Sequence, residues 1–336
     1  MTQQAGEVKA GLLWKQEHLS PLPIPTGEPA SDVLGMIWRK NNVYLDIGSL
    51  SLGGGWVVCY LGTLMWASLI VYLLIHDVYI GVLLFSFGAL TMMGFLWTGY
   101  IKAYRRPLTP PLRFHRQRRE VRIVTPEGDE WTVPWERVHA IAPSATMVGQ
   151  FGAAKMGGLL LWFPFKDQID EPFHMHKEGW AIMVSPGPGI AAMRQWECIR
   201  SFMEVGPDAV PEPTDVRDKR LRDIFVEEFR KARQHHGLFL TLLWDVGIGQ
   251  ILFNPMGYHW LHKKKFAVIP DLTSPESVAW SQPLPLEQWA KRSPELQAAI
   301  AEREQGMAAA AAAAEEQSEA RKTQLAHRLI DGDRTQ

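Results

Sequence analysis

"YLLIHDVYIG", residues 72–81, decides the fold of this chain. His76 and Asp77 stand side by side while apolar residues run away in both directions. Three readings are open: a catalytic pair in a buried core, a defect in one long helix, or a turn between two helices. Upstream, Gly54 to Ile75 is a run of about 22 residues without a charge, roughly 33 Å of helix, which matches a bilayer's hydrocarbon thickness. Downstream, Val78 to Ile101 is a second such run of about 24 residues. Asp77 is the one formal charge between Gly54 and Ile101. A single helix across both runs is too long for one crossing, so His76 and Asp77 read as the water-exposed tip of a transmembrane helical hairpin over 54–101.

Whole-chain composition hides this segregation. The 336 residues are 46% hydrophobic and 21% charged with a net charge of −1, which alone suggests an ordinary soluble protein. Aromatic placement supports the hairpin: Trp56, Tyr72, Tyr79, Trp97 and Tyr100 fall near the expected span ends, where amphipathic rings prefer the headgroup zone. Trp66, in mid-span, does not fit. Gly81, Ser86, Gly88, Gly94 and Gly99 are small enough to permit close helix contact.

Charge at the flanks sets orientation. Lys102, Arg105, Arg106, Arg113, Arg116, Arg118, Arg119 and Arg122 follow the second run with Glu120 as the one acid among them, and Arg39 and Lys40 precede the first. Positive charge marks the cytoplasmic side, so both termini are expected inside and the His76-Asp77 turn at the periplasmic face. Lys102, Arg105 and Arg106, with Trp56, Trp97 and Tyr100, are then the topology and interface residues. Arg113, Arg116, Arg118 and Arg119 become candidate contacts for anionic lipids. The arginines lack interleaved aromatics, so nucleic acid is not an expected partner. The first thirty residues carry no signal-peptide pattern. Cys59 and Cys198 fall at different depths and compartments, which points to reduced thiols.

Residues 1–53 read as an N-terminal cytoplasmic segment and 102–206 as a small antiparallel β domain. "EVRIVTPEGDEWTVPW" is a strand–turn–strand signal around "PEGD", and "GGLLLWFPF" and "GWAIMVS" are further strand candidates. "PGPGIAAMRQWECIRSFMEVG" sets Ile190, Met193, Trp196 or Glu197, Ile199 or Arg200, and Met203 at helical intervals and stops at Gly206-Pro207. This order, with "VPWERVHAI" at 133–141, resembles the pleckstrin-homology-like domains of bacterial membrane proteins. A β-sandwich or a mixed sheet gives the same local signals. The fold class expected is an α+β membrane protein: a hairpin, a β domain closed by a helix, and a helical C-terminal region.

Within 207–272, Thr214 is placed to cap a helix whose apolar stripe is Leu221, Ile224, Phe225 and Phe229. The apolar run 237–253, "GLFLTLLWDVGIGQILF", is short for a span, carries Asp245 near its centre, and would put Lys263, Lys264 and Lys265 outside. It is expected to pack on the soluble domain or lie along the inner face; re-entry or a third span is the alternative. Residues 273–336 begin with a Ser-Pro helix start and run into alanine, which reads as a solvated helix or passive tail interrupted at Gly306.

Enzyme signals are poor. "VGIGQILF" lacks the third glycine of a dinucleotide fingerprint, "SPGPG" is not a nucleophile elbow, and there is no phosphate-binding loop. His174, His176, His235, His236, His259 and His262 fit no closed zinc motif. No cofactor or metal is expected, and the protein is read as non-enzymatic.

"NNVYLDIGS", the tryptophan- and glycine-rich hairpin, "RPLTPPLRFHRQRREVRIV", "VPWERVHAI" and "MRQWECIRSFME" together resemble an uncharacterised bacterial inner-membrane family encoded near type VI secretion effectors. The likeness covers roughly residues 42–270 and brings no catalytic residues with it. It implies an immunity protein for a cognate toxin acting at the inner membrane. Less simply it implies an effector-loading accessory. The rival reading, from the pleckstrin-like domain, is a lipid- or protein-binding membrane sensor; membrane lipids and a protein partner are the expected contacts.

Overall fold

A computed structural model of the chain describes residues 6–20, 22–33, 35–48, 53–149, 152–169, 179–184, 187, 189–213 and 221–333. Four short strands come first: β1 (Val8–Ala10), β2 (Trp14–His18), β3 (Ile37–Lys40) and β4 (Tyr44–Ile47). Two long helices follow, α1 (Gly53–Ile75) and α2 (Tyr79–Arg105). Then come β5 (Leu112–His115), β6 (Glu120–Val124), β7 (Glu130–Pro134), β8 (His139–Gly149), β9 (Gly152–Gly157), β10 (Leu159–Pro164) and β11 (Gly179–Val184). The chain closes with α3 (Ile190–Glu204), α4 (Leu221–Leu240), a π-helical stretch Thr241–Ile248, α5 (Gly249–Phe253), α6 (Pro255–Lys265), α7 (Pro275–Trp280) and α8 (Pro294–Asp333). The protein is mixed α+β, with two apolar helices ahead of most of its antiparallel strands.

Two compact units divide the chain, and neither is continuous in sequence: one holds 1–49, 111–213 and 272–336, the other 50–110 and 214–271. The first contains both sheets. One sheet runs β3-β4-β5-β6-β7; the other runs β1-β2-β8-β10-β11 with β9 on β8, and every pairing is antiparallel.

The N-terminal residues are therefore not a separate segment. β4 pairs with β5, Asp46 opposite Arg113 and Ile47 opposite Leu112, so the two apolar helices are an insertion between neighbouring strands. The β3–β4 turn forms because the Asn41 side-chain oxygen accepts from the backbone of Val43 and Tyr44, both at 2.8 Å, an Asx turn. Gly48 follows because the Trp38 indole lies over it; a Cβ there would fall within 2.3 Å of ring atoms. The "PEGD" turn joins β6 to β7 as its sequence implies, with Gly128 at φ +99°.

One apolar core serves both sheets and α3. Alternate residues of β10 (Leu159, Leu161, Phe163) meet Leu45, Phe114, Val121 and Val133 from the other sheet, and α3 adds Trp196, Ile199 and Phe202. Trp135 sits at the junction, with its ring 5.2 Å from Trp196 and 5.9 Å from Phe114. Ile190, expected on the buried stripe of α3, is exposed instead, because it opens the helix beyond the core.

Residues 272–303 are not a passive tail. Ser274 caps α7 and Ser293 caps α8, each accepting a backbone N–H at 3.1 Å, as the Ser-Pro starts imply. Leu272, Trp280, Leu296 and Ile300 are buried. α8 runs through Gly306 without interruption, since helix-forming neighbours on both sides carry one glycine at a cost of about 1 kcal/mol.

In the second unit α1 packs on α2 and α5 packs on α1. The apolar run 237–253 thus joins the helical unit, not the β unit. Thr214, His174 and His176, with the side chains of Leu221, Ile224 and Asp245, lie outside the described residues.

Candidate membrane-spanning hairpin and the arginine cluster

α1 and α2 are both long and apolar enough to cross a membrane, and only 6% of the apolar stretch in each is covered by the rest of the protein. A core helix of a soluble protein buries its large apolar side chains; here Leu83 is 72% exposed and Phe95 80%. The reversal between them is short. Asp77 takes a positive φ of 57°, which lets the Asp77 and Val78 backbone N–H groups donate to Leu74 and Leu73 carbonyls at the end of α1. The Tyr79 hydroxyl donates to Asp77 Oδ1 at 2.8 Å, and the Tyr72 ring lies 4.4 Å from His76. His76 and Asp77 are exposed, as a turn requires, and they form no buried catalytic pair.

At the opposite end, Trp56, Tyr60, Trp97 and Tyr100 interlock. Trp56 stacks on Tyr60 at 5.7 Å and meets Trp97 edge-on at 6.0 Å. Trp97 Nε1 donates to Thr63 Oγ1 at 2.9 Å, an interhelical bond that removes a polar group from an apolar surface. Lys102, Arg105 and Arg106 are exposed where α2 ends. Close helix approach comes from Gly55, whose added Cβ would lie 2.9 Å from the Tyr100 ring, and Gly62, 3.2 Å from Met93. Gly94 and Gly99, expected at the contact, face open space.

Lys265 ties α6 to this end. Its ammonium donates to the Tyr104 carbonyl at 2.5 Å and to the Arg106 carbonyl, satisfying groups that the helix leaves unpaired, and a cation at a helix C-terminus is electrostatically favoured. Tyr258 and Leu261 of α6 pack against the Trp56, Cys59 and Tyr100 group.

Two of the arginines after the hairpin, Arg113 and Arg119, are buried and committed internally, which corrects their assignment to lipid. Arg113 is 3% exposed and makes a two-bond pair with Asp46, Nε to Oδ1 and Nη2 to Oδ2, each 2.6 Å. Arg39 adds a third bond to Asp46 at 3.3 Å. Arg119 is 9% exposed and donates to both carboxylate oxygens of Glu204 and to Glu136. Burial works against ionisation of Glu204, but Arg119, Trp135 and Arg292 outweigh it and hold the carboxyl below its ordinary range. Arg116 donates to the Val205 carbonyl and lies over the Trp289 ring; Arg118 donates to the Trp280 carbonyl. Arg122 bonds Glu130 at 2.6 Å. The cluster fastens 272–303 to the sheet, and Asp46 and Glu204, distant in sequence, neutralise Arg113 and Arg119.

His115 and His139 are buried, and desolvation lowers them to about 4 and about 3, so both are neutral near neutral pH. Among the described residues no group of three or more His, Cys, Asp or Glu side chains is placed to hold a metal ion. His259 faces Glu228 at 3.3 Å, and His262 stacks on Phe266 at 4.2 Å. Cys59 and Cys198 are both free thiols. No protein-family model, curated protein or solved structure matches the chain.

Proposed function

We propose that this is a non-enzymatic, multi-pass inner-membrane interaction protein in which α1 and α2 insert as a hairpin and both termini are cytoplasmic. The observation that carries the membrane reading is the bare apolar surface of both helices, which water would penalise at about 25 cal/mol per Å². The β4–β5 ladder supports the hairpin topology: short connections link the paired strands to α1 and α2, so both helix ends belong on one side. Lys102, Arg105 and Arg106 at that end favour the cytoplasm. The β unit, with α3 packed on the core it shares with both sheets, is read as a pleckstrin-like domain closed by that helix.

The narrower reading is immunity against a type VI secretion toxin that acts at the inner membrane, and it rests on the family resemblance of residues 42–270. A toxin that assembles helices in the bilayer presents helix surfaces, and a resident hairpin is suited to pack on them and block assembly. The exposed turn is three residues long, too small to cover a periplasmic enzyme. An effector-loading accessory role would use the same surfaces.

Two measurements separate the layers of this proposal. Labelling of His76→Cys by a membrane-impermeant maleimide in intact cells is expected, and labelling of Lys102→Cys only after lysis; the reverse pattern would overturn the topology. Survival of a heterologous host expressing the toxin encoded beside this gene is expected to require this protein. Survival that is independent of it would remove the immunity reading while leaving the membrane reading untouched.

A further inference from the structure

The second unit holds another apolar surface besides the hairpin. Within α4 the backbone breaks from helical geometry at Gly237, with φ 77° and ψ 169°, a conformation that favours glycine. Beyond it the chain folds back. Phe225, Glu228 and Phe229 of α4 line one cleft of about 400 Å³ with Trp244, Gly249 and Pro255 of the returning limb. Glu228 also pairs with His259 of α6. The result is a helical arm: an outgoing limb rich in charge and a mainly apolar returning limb, 238–253, whose one formal charge, Asp245, is more cheaply kept at headgroup depth than at the bilayer centre.

The returning limb is uncovered. Phe239 is 75% exposed, Trp244 59% and Ile251 64%, and Leu238, Leu240 and Leu243 are about half exposed. Its sixteen residues reach about 24 Å as a helix, short of the roughly 30 Å needed to span. Its far end is fixed: α5 packs on α1, and α6, immediately after it, is bonded through Lys265 to the last carbonyls of α2 at the basic end of the hairpin. The outgoing limb is held to α6 at that same end by Glu228 and His259. Both ends of the arm thus meet at the basic end of the hairpin, so the arm goes out and returns without crossing.

We infer that residues 238–253 form a re-entrant arm immersed in the inner leaflet beside α1. This rests on the membrane reading of α1 and α2. The occupant of the apolar face is lipid, because the limb is continuous, through α5, with a helix whose own bare surface requires lipid. Charge agrees: Arg230 and Arg233 are exposed on the outgoing limb and Lys264 on α6, a placement that matches anionic headgroups above an immersed apolar segment. Trp244 and Trp260, both exposed, suit the same boundary. The shared end argues against a third span.

The test uses the full chain with Cys59 and Cys198 replaced by alanine and one new cysteine, Phe239→Cys, Leu243→Cys or Leu83→Cys, carrying an environment-sensitive fluorophore. The protein is reconstituted in phosphatidylethanolamine vesicles containing a minority of phosphatidylglycerol, with nitroxide lipids labelled near the headgroup or near the chain end. Leu83 is expected to lose more emission to the deep nitroxide. Positions 239 and 243 are expected to lose more to the shallow one, and iodide in the buffer is expected to quench none of them. If iodide quenches 239 and 243 while Leu83 remains lipid-quenched, the arm is in water and the inference fails alone. Shielding of 239 and 243 from both iodide and nitroxides would assign the surface to protein and overturn it equally. If iodide quenches Leu83, the membrane reading falls and the arm with it.

Discussion

Asp46 and Arg113 face each other across β4 and β5, joined by two 2.6 Å bonds, although the whole hairpin lies between them in sequence. The pair ties the strand that enters the insertion to the strand that leaves it. Asp46→Leu is expected to cost about 3–5 kcal/mol, because it strands a buried guanidinium. Asp46→Leu combined with Arg113→Met should recover much of that loss, since a buried pair replaced by apolar groups of similar volume is often neutral. Thermal unfolding of the detergent-solubilised protein, single against double variant, checks the prediction.

His115 and His139, two of the three buried histidines among the described residues, give a pH dependence with a defined sign. Above pH 6.5 both are neutral, folded and unfolded alike, and contribute no slope. Below 6.5 the unfolded chain takes up protons that the folded protein refuses until about pH 4 for His115 and about pH 3 for His139. Stability therefore falls as pH drops through this window, by about 1.4 kcal/mol per pH unit for each histidine. Glu204, held low by its arginines, adds a loss in the same direction at the acid end. His139→Phe should flatten the dependence measured by denaturant unfolding between pH 6.5 and 4.5.

Helix contact in the hairpin depends on Gly55 and Gly62. Gly55→Leu would drive a side chain into the Tyr100 ring, and an overpacked site costs about 1–3 kcal/mol. Gly94→Leu, in open space, should leave the unfolding temperature of the purified protein within error of the parent. Equal effects of the two would contradict the helix packing described.

Truncation distinguishes the packed and solvated parts of the C-terminal region. Ending the chain after residue 271 removes the buried Trp280 and Leu296, the hydrogen bond from Trp280 Nε1 to Glu120 and the Arg292 contact to Glu204. Loss of cooperative unfolding is expected. Ending it after Ala310 removes none of these, and the unfolding free energy should change by less than about 1 kcal/mol.

Arg116 and Arg118 supply a matching control. Both already donate to backbone carbonyls of the same unit, so replacing them with glutamine should lower thermal stability more than it lowers vesicle binding.

The hairpin was legible because its signal is local: a bilayer-length apolar run, a polar pair, another run. Both helix boundaries fall close to the expected ones, except that α2 continues to Arg105, since Lys102 and Arg105 are good helix formers at a C-terminus that favours cations. β1 to β4 were not legible. They have three to five residues each, "VKA" and "WKQEH" carry no clean alternation, and their partners in β5 and β8 lie beyond the hairpin. The arginine cluster misled for the same reason. Arg113 and Arg119 look like part of a solvated basic run until Asp46 and Glu204 are brought beside them, and only the tertiary fold does that.

Inserting the hairpin between paired strands also orders the protein's assembly in time. β4 is synthesised first, with Leu45 and Ile47 in need of burial, and its neighbour β5 does not exist until both apolar helices have been made and the second has come back. A chain whose second helix fails to return keeps an open apolar strand edge, the kind of surface that aggregates or attracts proteolysis. Completion of the sheet is thereby coupled to the return of the second apolar helix, so the β4–β5 ladder acts as an internal check on the insertion between its strands.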